Sequence, residues 1–180
     1  MKVIPDVGKI AVLRPNAVGD FVFALPALHA LRNAYPDARI SYIGKPWHAG
    51  FLRNRPGPVD RAVVMPPVPG IGAASDANVD TASVQAFMRA MQEEEFDLAF
   101  QLYGGGRYSN PFIKRFGARL TIGLKAADAE PLDRWLPYGS PQNKRLQFLE
   151  VAALAGADTL RLGPELHVTA CDRREVARIL

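Results

Sequence analysis

Asp20 closes the stretch Arg14-Pro-Asn-Ala-Val-Gly-Asp, which lies between the apolar run Lys9-Ile-Ala-Val-Leu13 and a long helical pattern. A carboxylate at such a junction has two uses. At the amino end of a helix it accepts orphan backbone N–H groups and suits the positive end of the macrodipole, worth roughly 0.5–2 kcal/mol. Alternatively, it takes a proton from a substrate hydroxyl. Phosphate binding fits poorly, because the stretch has one glycine, Gly19, and neither a Gly-x-Gly-x-x-Gly pattern nor a Lys-Ser/Thr pair. Asp20 would also repel an anion. A second junction of this kind is Tyr103-Gly-Gly-Gly-Arg107. Gly104 and Gly105 there would let backbone approach a ligand, and Arg107 could hold an acidic group; a tight turn and a solvated arginine are the plain alternatives. Arg14 and Asn16 share the first loop with Asp20, although Asn is also a common turn former. Trp47 and His48 follow a strand and could stack on a sugar or pack in the core. His29, His48 and His167 show no metal-ligand spacing. No Gly-x-Ser-x-Gly element or Cys-His pairing supports hydrolase chemistry.

The elements that must position these residues follow from hydrophobic period. Lys9–Leu13 reads as a strand buried on both faces. Ala24, Leu28, Leu31 and Tyr35 share one side of a helix, with Pro26 near its first turns and Pro36 ending it. Strands follow over 38–44 and 61–65, with a short helix around Trp47 to Leu52 between them. Residues 66–78 read as a loop. Val84, Phe87, Met88 and Met91 mark a helix capped near Asp80 or Thr81, and Glu93-Glu94-Glu95 reads as a solvated face. Further strands are expected over 96–102 and 119–124, then a connection from Asp128 to Pro141. A helix with Leu146, Leu149 and Ala153 on one side stops at Gly156. Asp172 is an N-cap candidate for a last helix. Alternating strands and helices imply an α/β fold, a Rossmann-like doubly wound parallel sheet, whose ligands bind beyond the carboxyl ends of the strands.

The chain has 180 residues, 48% hydrophobic and 22% charged, enough for one domain with a real core. Its net charge of +4 and isoelectric point near 9.4 suit an anionic partner without specifying one. The basic residues are scattered, which argues against nucleic acid as a partner. A lone cysteine, Cys171, excludes an intramolecular disulfide and fits a reducing compartment, so a cytoplasmic location is expected. No apolar stretch approaches the roughly 20 residues that span a bilayer, and no signal peptide is evident.

Residues 10–44 resemble the amino-terminal segment of the glycosyltransferase family that contains the ADP-heptose:lipopolysaccharide heptosyltransferases, family nine. The most specific part is Gly19-Asp20 followed by Leu25-Pro-Ala-Leu28. Residues 59–65, 96–107, 117–124 and 142–158 continue the resemblance in order. It implies residues 1–165 as a Rossmann-like acceptor-binding domain, the amino-terminal half of a two-domain GT-B enzyme. Residues 166–180 would start the connection to a second, donor-binding domain. The implied activity is inverting transfer of a sugar, heptose being the best-known case, from a nucleoside-diphosphate sugar such as ADP-heptose to a hydroxyl of a lipopolysaccharide-type glycan or glycolipid acceptor. Asp20 matches the family's general base. No cofactor or metal is implied, and peripheral contact with the cytoplasmic face of the inner membrane is compatible with such an acceptor. One departure bears on the acceptor: residues 66–88 contain no Lys or Arg where inner-core enzymes place basic side chains. An acceptor less anionic than inner-core lipopolysaccharide, or another glycan altogether, is expected. The alternative from a different class is a stand-alone Rossmann or flavodoxin-like module that binds phosphate or a small ligand without catalysis. A membrane-surface scaffold has only the isoelectric point in its favour.

Overall fold

The computed structural model describes residues 2–139, 143–159 and 161–179. In chain order these form β1 (Lys9–Leu13), α1 (Val18–Ala34), β2 (Arg39–Gly44), α2 (Pro46–Leu52), β3 (Arg61–Val64), the two-residue β4 (Val68–Pro69) and β5 (Gly72–Ala73), α3 (Thr81–Glu93), β6 (Leu98–Gln101), α4 (Ser109–Lys114), β7 (Leu120–Lys125), β8 (Arg134–Pro137), α5 (Lys144–Ala153) and α6 (Ala170–Ile179). Among the described residues six strands form one parallel sheet in the order β3-β2-β1-β6-β7-β8. The chain moves outward from β1 to β3, then returns and starts again at β6 on the other side of β1. Between β1 and β6 the strand order therefore reverses, and the loops that follow them leave in opposite directions and open a crevice.

Each face of the sheet buries its own apolar cluster. On one face Ile10, Val12, Tyr42 and Phe100 meet Leu25, Leu28 and Leu31 of α1 and Phe148, Val151 and Ala152 of α5. On the other, Leu13, Ile43 and Ala99 meet Phe87, Met88 and Met91 of α3 and Phe112 and Ile113 of α4. The expected stripe Ala24, Leu28, Leu31, Tyr35 is buried throughout. Asp80 caps α3 by accepting from the Ala82 N–H at 3.0 Å. Gly156 ends the α5 region at φ +78, with its N–H on the Ala153 carbonyl and that of Ala157 on the Ala152 carbonyl, a paired C-terminal closure.

Several expectations change. Pro26 is not in the first turns, because α1 begins at Val18, which makes it the ninth helical residue, and it leaves the Val22 carbonyl without a helical donor. Of the stripe expected on α5, Leu149 is buried, Ala153 is half-buried and Leu146 is exposed; the buried side is completed by Phe148, Val151 and Ala152. Glu94 is not merely solvated: it pairs with Arg39 and Arg61 at 2.5 and 2.7 Å. The cap of α6 is Thr169, whose hydroxyl accepts from the Asp172 N–H, while Asp172 reaches back to the Thr169 N–H; Asp172 is thus the third helical residue rather than the cap. Arg55 grips the same carboxylate with two bonds of 2.7 and 2.8 Å. Strand β8 and helix α4 lie where connections were expected. β8 is a short, half-exposed edge whose terminal Pro137 an edge tolerates, and α4 hides in a Gly-Ser-Asn-Pro-rich stretch because Pro111 falls within its first turn. No helix among the described residues is long and apolar enough to cross a membrane.

Gly123 in β7 has a steric reason: a Cβ there would lie 2.6 Å from the Gln101 carbonyl oxygen. Gly123→Ala should therefore push β7 off β6 and cost about 1–3 kcal/mol. Urea unfolding would read this as a lowered midpoint, and an unchanged midpoint would show that the sheet relaxes around the methyl group.

Candidate active site

The crevice at the carboxyl edge of β1 and β6 is built around Arg14. Its side chain is 4% exposed and its guanidinium leaves little capacity for a ligand. Nε donates to the Asp20 carbonyl at 2.9 Å, Nη2 to Asp20 Oδ1 at 2.7 Å, and Nη1 to the Leu102 carbonyl. The guanidinium carbon stands 4.3 Å from the centre of the Phe148 ring, and the Tyr42 hydroxyl donates to the Arg14 carbonyl at 2.8 Å. Burial pulls the Arg14 pKa below its usual value and the neighbouring Tyr42 and Asp20 oppose the shift; an arginine stays charged through such a change. Burial likewise raises the Tyr42 phenol.

Asp20 is not a helix cap. The cap of α1 is Ala17, which supplies no side-chain bond, and Asp20 is the third helical residue with its carboxylate turned to Arg14. Its side chain is 38% exposed, and Oδ2 has no partner among the described residues. The result is a carboxylate fixed through one oxygen and open through the other. It faces a hollow of about 130 Å³ lined by Arg14, Asn16, Asp20, Gly104, Tyr138 and Lys144, among others. Asn16 Oδ1 is buried there without a partner among the described residues. Lys144 Nζ lies 4.7 Å from the centre of the Tyr138 ring and donates to Gln147 Oε1 at 3.0 Å.

Of the residues singled out by sequence, the fold brings Arg14, Asn16, Asp20 and Gly104 into this hollow. Gly105 and Arg107 line an adjoining one of about 280 Å³, which shares Gly104 and Tyr138 with the first. Arg107 is 69% exposed with a long 3.8 Å contact to Asp128. Gly105 is close-packed: a Cβ would lie 2.8 Å from the Tyr138 ring. Gly104 takes φ +59 with open space before it, and a Cβ on Gly19 would meet nothing within 4 Å. Gly19 is exposed at the start of α1 and outside the hollow.

Three contributors escaped sequence reasoning. Tyr138 lay in an apparent connection. Lys144 carried a signal, since a cation in the first turn of a helix opposes the macrodipole and calls for a reason. Gln101, fully buried at the end of β6, gives its amide to the Tyr103 carbonyl and to Ser109 Oγ at 2.6 Å, and accepts from the Leu124 N–H at 3.1 Å, thereby shaping the glycine turn. Trp47 is half-buried and packs against the core, its ring centre 3.6 Å from that of His48 and its plane edge-on to Phe21.

No family model and no curated protein sequence matches the chain. Solved structures do. A glycosyl transferase family 9 protein from Veillonella parvula superposes with a TM-score of 0.77 at 16% identity, covering 99% of this chain and 50% of that one. The chain has the fold of these glycosyltransferases. E. coli ADP-heptose LPS heptosyltransferase II gives 0.62 at 18% identity, covering 95% of this chain and 50% of its own. E. coli heptosyltransferase WaaC with ADP gives 0.61 at 18% identity over 85% of this chain and 48% of that one, and the same enzyme is known with ADP-2-deoxy-2-fluoro heptose. The chain spans about half the length of the solved structures it matches.

His48 offers a test of this packing. The ring is fully buried, Nδ1 accepts from the Lys45 N–H at 2.9 Å, and Nε2 has no partner among the described residues. Burial lowers its pKa from 6.5 to about 4. The unfolded chain takes up a proton as pH falls through 6.5 while the folded ring refuses it until about 4, so stability should drop with acidification across that window. Urea midpoints measured from pH 7 to pH 4 should lose part of this slope in His48→Asn, which keeps an acceptor for Lys45; an identical slope would contradict the assignment.

Proposed function

We propose that this chain is the acceptor-binding half of an inverting glycosyltransferase, with Asp20 as general base. The observation that carries the reading is the Asp20 carboxylate, held by buried Arg14 at the point where the strand order reverses, in a fold shared with glycosyltransferases. The acceptor hydroxyl approaches Asp20 Oδ2 and gives up its proton there as its oxygen attacks the anomeric carbon of a nucleoside-diphosphate sugar. The bond from that carbon to the diphosphate oxygen breaks, and configuration inverts. Arg14 holds Oδ1 and so keeps Oδ2 directed at the crevice. Asn16 supplies an acceptor for a second substrate hydroxyl, and Lys144 over Tyr138 a cation for an acidic group beside it. The backbone at Gly104 leaves room for the sugar. Arg107 serves a more distant part of the acceptor. Nothing in this step requires a metal.

Residues 1–165 would form this acceptor domain and 166–180 lead toward a donor-binding domain that holds most of the nucleotide sugar. Heptose transfer in lipopolysaccharide assembly, at the cytoplasmic face of the inner membrane, is the finer version of the reading. It draws on the names of the heptosyltransferases that share the fold.

In the full-length protein, Asp20→Asn keeps an oxygen for Arg14 but removes the base. Diphosphate release from a panel of nucleotide sugars should fall by roughly 10²–10⁴ in kcat with KM little changed; near-normal turnover would sink the assignment. Arg14→Lys retains the charge and loses the fork. It should lower kcat by less than Asp20→Asn, again with little effect on KM.

A further inference from the structure

Beside the polar crevice lies a larger hollow of different chemistry. It measures about 660 Å³, and its walls include Val64, Met65, Ile71, Ala86 and Phe87, with prolines around them and Lys45 as the charged residue of the lining. That size and that mix of apolar wall with one polar anchor are those of a small-molecule site. Lys45 Nζ makes no hydrogen bond or ion pair among the described residues. An ammonium left unpaired beside an apolar wall is complementary to an anionic group carried by an apolar body.

The two hollows are neighbours. Pro15 lines the apolar one, whereas Arg14 and Asn16 on either side of it line the hollow that Asp20 faces. β1 and β2 run parallel with Leu13 opposite Ile43, so Pro15 and Lys45 each follow two residues beyond that pair. Lys45 therefore lies at the same carboxyl edge as Pro15, on the strand beside the one whose loop carries Asp20. This arrangement orders a ligand: apolar chain against Met65, Ile71 and Phe87, anionic link at Lys45, hydroxyl-bearing group at Asp20. The absence of Lys and Arg from residues 66–88 fits a single anionic link better than a polyanionic glycan.

We propose that the apolar hollow seats the chain of a lipid-linked acceptor, an alkyl or isoprenoid chain joined to the acceptor sugar through an anionic group that Lys45 neutralises. This rests on the glycosyltransferase reading for the role of the bound molecule, but its binding is measurable without turnover. Isothermal titration of the full-length protein with octyl phosphate, octyltrimethylammonium and inorganic phosphate tests it. Octyl phosphate should bind with a negative heat-capacity change, and inorganic phosphate should not bind measurably. Octyl phosphate should exceed octyltrimethylammonium by about tenfold, a preference that Lys45→Glu reverses. Ala86→Trp, at an exposed helical position that can take the ring without unfolding, should fill the hollow and weaken octyl phosphate at least about tenfold. Equal binding by wild type and Ala86→Trp, equal binding of inorganic phosphate, or no binding to the full-length protein because other parts of it cover the hollow would each overturn the proposal. Asp20→Asn should bind octyl phosphate normally. Retained turnover in that variant would refute the base and leave the lipid seat standing, while lost octyl phosphate binding in wild type would refute the seat and leave the base.

Discussion

A single buried cation, Arg14, ties together the parts of this structure that do chemistry. It leaves the end of β1, bonds to the first turn of α1 through Asp20, to the end of β6 through the Leu102 carbonyl, and lies on Phe148 of α5. Four elements thus share one guanidinium. Removing a charge of this kind from water is costly unless every donor finds a partner. The carboxylate of Asp20 and two backbone carbonyls offset that cost by taking three of its five donors, and in doing so they fix the geometry of the crevice. Tyr42 reinforces the arrangement from the neighbouring strand by holding the Arg14 carbonyl.

The surrounding fold makes such a burial possible. Two apolar clusters, one on each face of the sheet, bury the strands from both sides, so the loops at their carboxyl edge rest on a rigid base. Reversal of strand order between β1 and β6 then opens space in the one place where two loops diverge. Along that edge the surface is divided by chemistry. Polar side chains gather at Asp20, and apolar ones gather beyond Pro15 over the start of α3. Gln101 performs for the glycine turn what Arg14 does for the first loop, satisfying several backbone groups from one buried side chain.

Much of the fold was legible in the chain. Continuous apolar runs such as 10–13, set off by glycine and proline, read as strands covered on both faces, and the spacing of Leu28 and Leu31 or of Phe87 and Met91 reads as a helix packed on them. β8 and α4 were not legible because each is short, contains proline and is stabilised mainly by what it packs against. The resemblance carried by Gly19-Asp20 and Leu25-Pro-Ala-Leu28 pointed to the correct fold, which the superposition on glycosyltransferase structures bears out.

Sequence by itself determined the α/β class, the order of the main elements, the carboxyl-edge location of the loops and the candidacy of Asp20, because local hydrophobic period and turn chemistry are properties of neighbouring residues. Only the tertiary structure decided what Asp20 does with its carboxylate, since its partner lies six residues earlier, just past the end of β1, and the choice between cap and ion pair depends on how α1 enters the sheet. It also decided that Arg14 is buried, that Lys144 and Tyr138 belong to the crevice, and that an apolar hollow lies beside it. Those facts depend on distances between residues far apart in the chain, which no local pattern encodes.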